Sequence, residues 1–214
     1  MVNFSIREEL REKKFRVAIF GSARITPQDG VYQDVRSIAR ALTKRGMGVV
    51  TGGGPGLMEA AVLGHEDAGN EGTHAIGLNI KLPHEQRANR HLDVKADFER
   101  FSDRLDYFMA LSNAVVVAPG GVGTLLELAY TWQLVQVKHV CHIPVILYGR
   151  MWKDFVKWVR KWPLKSKYLD EQDVQLLYHC TRKEAALEVI DEAFAAYRKG
   201  GKNFCLNFEK YRVA

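Results

Sequence analysis

Residues 114–127 read AVVVAPGGVGTLLE, and this stretch decides the fold. Its first five residues, 114–118, are wholly apolar, which predicts a short strand buried on both faces of a sheet. A glycine-rich turn follows, and residues 123–137 have the spacing of a helix. A buried strand that leads through a glycine turn into a helix is typical of a parallel sheet with helical crossovers.

The same order recurs along the chain. Strands are predicted at residues 15–20, 47–51, 73–79, 93–98, 114–118 and 143–147, with a weak one near 176–180. Helices are predicted at residues 3–14, 31–45, 57–69, 100–111, 123–137, 152–162 and 182–199. This alternation predicts an α/β fold: a doubly wound, Rossmann-like parallel sheet with helices on both faces. We expect one such domain over residues 1–200 and a basic tail over residues 201–214.

The composition excludes several functional classes. The 214 residues have a net charge of 31 − 25 = +6, which suits an anionic ligand, but no DNA- or RNA-binding motif accompanies it. No apolar run approaches the roughly 20 residues that cross a bilayer. Cys141, Cys180 and Cys205 form no CxxC pair, and residues 1–14 have no apolar signal core. We expect a cytoplasmic protein without disulfides, with no membrane and no specific nucleic acid as partner.

Three turns follow predicted strands, at the sheet edge where ligands bind in doubly wound folds. The first contains Gly21 and Ser22, and the second, residues 52–56, contains Gly53 and Gly54 and leads to Met58. Neither matches GxGxxG or a P-loop, so a dinucleotide fingerprint is not supported. Taken alone, each turn is either a ligand contact or a tight turn that packs helix on sheet.

The third turn indicates an anion site. Gly120, Gly121 and Gly123 leave backbone N–H groups open, and Thr124 adds a hydroxyl at the start of a helix, which suits a monophosphate. Glu127 lies about one helical turn further on. Its carboxylate either reaches a bound ligand or complements the helix N-terminus.

The nine residues PGGVGTLLE, 119–127, resemble the PGGxGTxxE signature of the Lonely Guy (LOG) family, often labelled lysine decarboxylase-like. The resemblance extends over residues 16–149 and includes the GGGPGLM and TWQL runs. It implies hydrolysis of the N-glycosidic bond of nucleoside 5′-monophosphates, AMP-like or cytokinin-type, to a free base and ribose 5-phosphate. A pyridoxal-phosphate decarboxylase needs a Schiff-base lysine, and none lies in the three turns. We therefore expect no cofactor.

The resemblance also assigns roles to residues of this chain. It pairs Glu127 with Arg104 on the preceding helix, and we predict both as catalytic residues; without it, Arg104 would pair with Asp103 or Asp106. Many members have a lysine after this arginine, where this chain has Leu105. The predicted substrate-binding residues are Ser22, Gly53, Gly54, Met58, Gly120, Gly121, Gly123 and Thr124.

Two other functions are compatible with this pattern. Molybdenum-cofactor carrier proteins have similar glycine turns and bind a phosphorylated pterin without cleaving it, and a regulatory nucleotide sensor would likewise bind without turnover. The presence of both Arg104 and Glu127 favours hydrolysis. The family also implies a homodimer or a higher homo-oligomer. We expect its interface on the apolar residues of the signature helix, namely Ala129, Trp132, Leu134, Val135 and Val137.

Three further groups of residues are weaker candidates for a site. His139, Cys141 and His142 lie close together but have no obvious fourth ligand, so no metal is predicted. The polar residues 80–93 form either an active-site loop or a solvated one; its candidates are His84, Arg87, Arg90 and His91. For the basic aromatic helix that contains Trp152, Trp158 and Trp162, core or subunit packing is favoured over base stacking.

Overall fold

The computed structural model describes residues 5–69, 72–81 and 89–200. The strands are Arg16–Phe20 (β1), Gly48–Thr51 (β2), Ala75–Ile80 (β3), Val94–Phe98 (β4), Ala114–Val117 (β5), Val145–Tyr148 (β6) and Leu177–Cys180 (β7). The helices are Ile6–Arg11 (α1), Gly30–Lys44 (α2), Leu57–Glu66 (α3), Phe101–Leu111 (α4), Val122–Gln136 (α5), Trp152–Val159 (α6), Glu171–Val174 (α7) and Lys183–Gly200 (α8).

The seven strands form one parallel sheet in the order β4-β3-β2-β1-β5-β6-β7. Val17 of β1 is in register with Val49 of β2 on one side and with Ala114 of β5 on the other. The chain reverses its direction of travel across the sheet between these two neighbours, which opens a crevice at the carboxyl ends of β1 and β5. The doubly wound α/β fold predicted from the sequence is confirmed.

Two hydrophobic cores cover the two faces of the sheet. Val17 and Ile19 of β1 pack with α2, α3 and α8, whereas Ala18 and Phe20 face α4, α5 and α6. Phe20 meets Phe108 of α4 edge to face, with ring centroids 4.9 Å apart. Because alternate side chains of one strand enter different cores, every residue of β1 is buried, as the continuous apolar run requires.

The element boundaries differ from the sequence predictions in two places near the carboxyl end. The helix predicted at 152–162 ends at Val159 and continues as a π-helical turn, Arg160–Leu164, that contains Pro163. Proline has no N–H to donate, which is incompatible with a regular α-helix at this point. The short helix Glu171–Val174 was not predicted; it begins with a capping box between Asp170 and Asp173.

The cysteines differ from expectation. Cys180 is a free, buried thiol, whereas Cys141 is disulfide-bonded, which the sequence did not lead us to expect. Cys205 and the predicted basic tail, residues 201–214, lie outside the described residues, as do His84 and Arg87. Across 5–69, 72–81 and 89–200, no helix has both the length and the apolar character needed to cross a membrane.

Candidate active site

The three glycine-containing turns meet at the carboxyl ends of β1, β2 and β5. The backbone N–H of Ser22 donates to the carbonyl of Pro119 at 3.0 Å, and the carbonyl of Ser22 accepts from Leu57 N–H at 3.0 Å. Gly56, with φ +70°, allows this close approach, since a Cβ there would lie 2.4 Å from the Ser22 carbonyl oxygen. Ser22 therefore lies between the turn that contains Gly53 and the turn that contains Gly120.

The N-terminus of α5 is open. Gly121 precedes its first residue in an extended conformation, no side chain caps the helix, and its first turn has no acidic residue. A Cβ at Gly121 or Gly123 would meet no atom within 4 Å, whereas one at Gly120 would lie 2.1 Å from Thr124 Oγ1. The first-turn N–H groups of a helix have no intrahelical partner, so this end suits an anion.

A buried ion pair lies one turn further along α5. Arg104 Nη2 on α4 donates to Glu127 Oε1 at 3.1 Å, and the two residues are only 7% and 8% exposed. Arg104 thus pairs with Glu127 and not with Asp103 or Asp106. Thr131 Oγ1 donates to the Glu127 carbonyl at 2.8 Å, which fixes the helix around the carboxylate.

Aromatic rings and the second glycine turn surround the guanidinium of Arg104. The Phe101 and Phe108 ring centroids lie 5.5 and 5.6 Å from its Cζ, and its Nε has no hydrogen-bond partner among the described residues. A Cβ at Gly52 would lie 3.3 Å from Arg104 Nη1 and 2.8 Å from Met58 Sδ. The absence of a side chain at Gly52 therefore lets Arg104 and Met58 come close to this turn.

Burial dominates the electrostatics of the pair. It raises the pKa of Glu127 to about 7, although the neighbouring Arg104 guanidinium lowers it. Burial likewise lowers the pKa of Arg104, and Glu127 opposes that shift. Arg104 therefore does not hold Glu127 fully ionised at neutral pH: the carboxyl can both hold and release a proton there.

Two residues that the sequence analysis did not predict, Asn79 and Asn89, lie beside the second glycine turn. Gly53 has φ +71°, and its carbonyl accepts from Asn89 N–H at 3.1 Å. Asn79 Oδ1 occupies the space that a Cβ at Gly53 would need, at 1.7 Å. Asn79 Oδ1 and Asn89 Nδ2 are buried without a hydrogen-bond partner among the described residues. Asn79 directly precedes the polar stretch 80–93, and Asn89 lies within it. The polarity of this stretch was the one feature of the sequence that could have indicated them.

The remaining candidates have less to do with this site. Leu105 is buried at 4% exposure, so position 105 is not open to a ligand. His91 pairs with Glu66, the last residue of α3, with Nδ1 and Oε2 2.9 Å apart. Within the described ranges, no cluster of three or more histidine, cysteine or acidic side chains could hold a metal ion.

These features define a class of protein: a Rossmann-like α/β domain whose glycine turns and uncapped helix start lie beside a buried acid. The family model described as "Possible lysine decarboxylase" matches residues 56–190. The chain belongs to this family, the LOG family indicated by its PGGVGTLLE signature.

The known proteins that are similar to this chain include the following three. A pyrimidine/purine nucleotide 5′-monophosphate nucleosidase of Escherichia coli K12 is 30% identical over 122 residues, which are 53% of this chain but only 26% of that protein. The molybdenum cofactor binding protein of Rippkaea orientalis has a TM-score of 0.64 at 20% identity, over 85% of this chain and 98% of that one. The molybdenum cofactor carrier protein of Chlamydomonas reinhardtii has a TM-score of 0.63 at 20% identity, over 85% and 99%. At this identity the two structures show the fold alone.

Proposed function

We propose that this chain hydrolyses the N-glycosidic bond of nucleoside 5′-monophosphates to a free base and ribose 5-phosphate. The observation that supports this most directly is the buried Arg104–Glu127 pair one turn below the open N-terminus of α5. The family and the nucleosidase that matches part of the chain support the same reaction class.

The phosphate would bind at the start of α5. Backbone N–H groups near Gly120, Gly121 and Gly123, together with the Thr124 hydroxyl, are the donors for a dianionic group at a helix N-terminus. A phosphate fixed there holds the ribose in one position, so that its binding energy serves to place C1′ near Glu127.

The chemistry requires a carboxyl group near the sugar. As the bond between C1′ and the base nitrogen breaks, its electron pair goes to the base and positive charge develops on the ribose. Ionised Glu127 would stabilise that charge and accept a proton from the attacking water, whose oxygen bonds to C1′. The departing base takes up a proton from solvent, and Glu127 later releases its own to solvent, so that one water is consumed overall. Arg104 would position Glu127 and keep part of it ionised, since it lowers the pKa that burial raises.

The base would lie toward the second turn, near Gly53, Gly54 and Met58. The carboxyl ends of β5, β1, β2 and β3 follow one another across the sheet, so a ligand with its phosphate at β5 extends toward β2 and β3. Ser22, in the turn after β1, lies between the two ends. The buried amide atoms of Asn79 and Asn89 border this side.

A homodimer is part of this proposal. Of the residues expected at its interface, Ala129 and Val137 are exposed, Val137 at 58%. Val135 is 3% exposed and packs in the core, and Trp132 and Leu134 are partly buried. The exposed apolar face of α5 consists of Val122, Leu125 and Leu126, at 84%, 42% and 43%, together with Ala129. A face of this kind beside the phosphate end of the site suits a second copy of the chain. The cytoplasmic location stays a prediction.

The second candidate is a non-catalytic carrier of a phosphorylated ligand, which the fold shared with the molybdenum cofactor proteins favours. One experiment separates the two. The purified chain is incubated with AMP, GMP, CMP and UMP, and free base is followed by chromatography, with Glu127→Gln as the control. Base release that depends on Glu127 supports the hydrolase. Binding of monophosphates or a pterin without any base release supports the carrier.

A further inference from the structure

A basic aromatic surface lies on α6 and the π-helical turn that follows it. We call it the α6 surface; it consists of Lys153, Lys157, Trp158, Lys161, Trp162 and Lys165, all exposed. Trp158 and Trp162 are 53% and 54% exposed, although tryptophan is usually buried to a large extent. They follow one another by about one helical turn, or about 6 Å along the axis.

The fold does not need these two rings for its core. α6 packs on the sheet through Trp152 and Val159, which are 0% and 1% exposed. Trp158 stacks on Phe155 with 6.4 Å between ring centroids and 28° between planes. The Lys161 ammonium lies 5.0 Å from the centroid of the Trp162 ring. The rings are thus held beside lysines at the surface, and part of each remains open to solvent.

The surface has a surplus of positive charge. Lys157 pairs with Asp154 at 3.3 Å, and Arg160 pairs with Glu171 at 2.9 Å. Lys153, Lys161 and Lys165 form no ion pair within the part of the chain that the structure describes. A partner that complements this surface therefore has several negative charges and flat apolar groups at short intervals.

Single-stranded nucleic acid has that chemistry: a phosphate and a planar base in every repeat. A second copy of the chain fits worse, because pairing two α6 surfaces would bring their lysines together. A lipid bilayer also fits worse. A helix that lies on a membrane buries its apolar side there, and the apolar side of α6, with Trp152 and Val159, is already packed against the sheet. We propose that the α6 surface binds single-stranded DNA or RNA without sequence specificity, with phosphates on the lysines and bases on Trp158 and Trp162. This inference is independent of the proposed hydrolase activity.

The test measures binding of the full chain to fluorescent single strands of about 12 nucleotides. Strands of DNA and of RNA are compared to find which of the two nucleic acids binds more tightly. Each strand ends in a 5′-hydroxyl, so that no terminal phosphate can bind at the N-terminus of α5. An abasic strand of equal length retains the phosphates but lacks the bases. We expect the double variant Trp158→Ala, Trp162→Ala to bind base-containing strands at least about fivefold more weakly for each ring removed. Its affinity for the abasic strand should be unchanged.

The lysines are tested by charge reversal. Lys161→Glu with Lys165→Glu should weaken binding to both kinds of strand. It should also reduce the slope of log affinity against log salt by about 0.7 for each phosphate that no longer meets a lysine. The matched control is Lys44→Glu with Lys199→Glu, at exposed lysines of α2 and α8. Melting temperature and circular dichroism report whether each variant remains folded.

Three results would overturn the proposal. One is unchanged binding by the tryptophan variant to base-containing strands. Another is an equal decrease in affinity for the α6 and control lysine variants, which would mean general charge attraction. The third is the absence of strand binding while the chain cosediments with vesicles of phosphatidylcholine and phosphatidylglycerol, which would assign the surface to an anionic membrane.

Discussion

Arg104 Nη2 lies 3.1 Å from Glu127 Oε1, in a setting where the two side chains are almost fully buried. Taking two charges out of water is costly, and a buried ion pair often contributes little or nothing to stability compared with apolar residues. The orphaned Nε of Arg104 adds to that cost. A pair that is costly to the fold, at the carboxyl edge of a doubly wound sheet, is better explained by the chemistry of a ligand than by stability.

Removing the carboxylate tests that explanation most directly. Glu127→Gln preserves the size of the side chain and its contact with Arg104 but cannot accept a proton or oppose positive charge on the ribose. We expect kcat for base release to fall by about 100-fold or more. The measurement is base release from each of the four monophosphates.

Glu192→Gln is the matched control for this substitution, because Glu192 is an exposed acid on α8. It should leave kcat unchanged. Equal activity of Glu127→Gln and the native chain, with both folded by circular dichroism, would contradict the catalytic role of Glu127.

The pH profile should report the shifted Glu127 carboxyl. If the ionised form acts, activity rises with pH through the pKa of about 7. Arg104 lowers that pKa, so Arg104→Gln should move the rise to higher pH, and Arg104→Lys should move it less. The substrate phosphate titrates near pH 6 in every variant, and comparison of the profiles removes its effect. Identical profiles for the native chain and Arg104→Gln would show that another group controls the rate.

Whereas activity should rise with pH, the contribution of Glu127 to the free energy of unfolding should fall as pH rises. The pKa of Glu127 is 4.5 in its ordinary state and about 7 when folded, so the folded state binds the proton more tightly. The stabilisation that results is complete below about pH 4.5 and is lost as pH rises to about 7, which amounts to about 3 kcal/mol. Urea unfolding of the native chain and of Glu127→Gln, at several pH values, isolates this contribution. We expect their difference to change across this interval and to be constant above it.

The sequence predicted the central strands well because β1, β2 and β5 are short apolar runs, each followed by a glycine-containing turn. All seven strands formed where expected, and Arg104 and Glu127 lie together as the family resemblance implied. The contacts of Asn79 and Asn89 with Gly53 depend on how β3 and the following loop fold over the second turn, which no local pattern reports. The raised pKa of Glu127 could not be predicted from the sequence either, because it results from burial by elements that are distant along the chain.

The open start of α5 leads to a prediction about glycine. Alanine at Gly121 or Gly123 meets no atom within 4 Å, and neither glycine has a positive φ, so the fold should tolerate the methyl group. Beside the N–H donors, the same methyl group should obstruct a phosphate and raise KM for AMP by about tenfold, with less effect on kcat. Gly30→Ala, at the start of α2, is the matched control because a Cβ there also meets nothing. An unchanged KM in both site variants would place the phosphate elsewhere.

The exposed face of α5 leads to the last prediction, which concerns assembly. Val122, Leu125 and Leu126 form an apolar patch that a second copy would cover. Leu125→Glu combined with Leu126→Glu puts two like charges into that interface and should convert a dimer into a monomer, measured by light scattering. Trp158→Glu is the control, because it changes an exposed apolar residue outside α5 and should leave the dimer intact. A native chain that is monomeric at all concentrations, or a double variant that still dimerises, would exclude this face as the interface. Because the patch adjoins the N-terminus of α5, base release by the monomeric variant would also show whether one chain suffices for the proposed reaction.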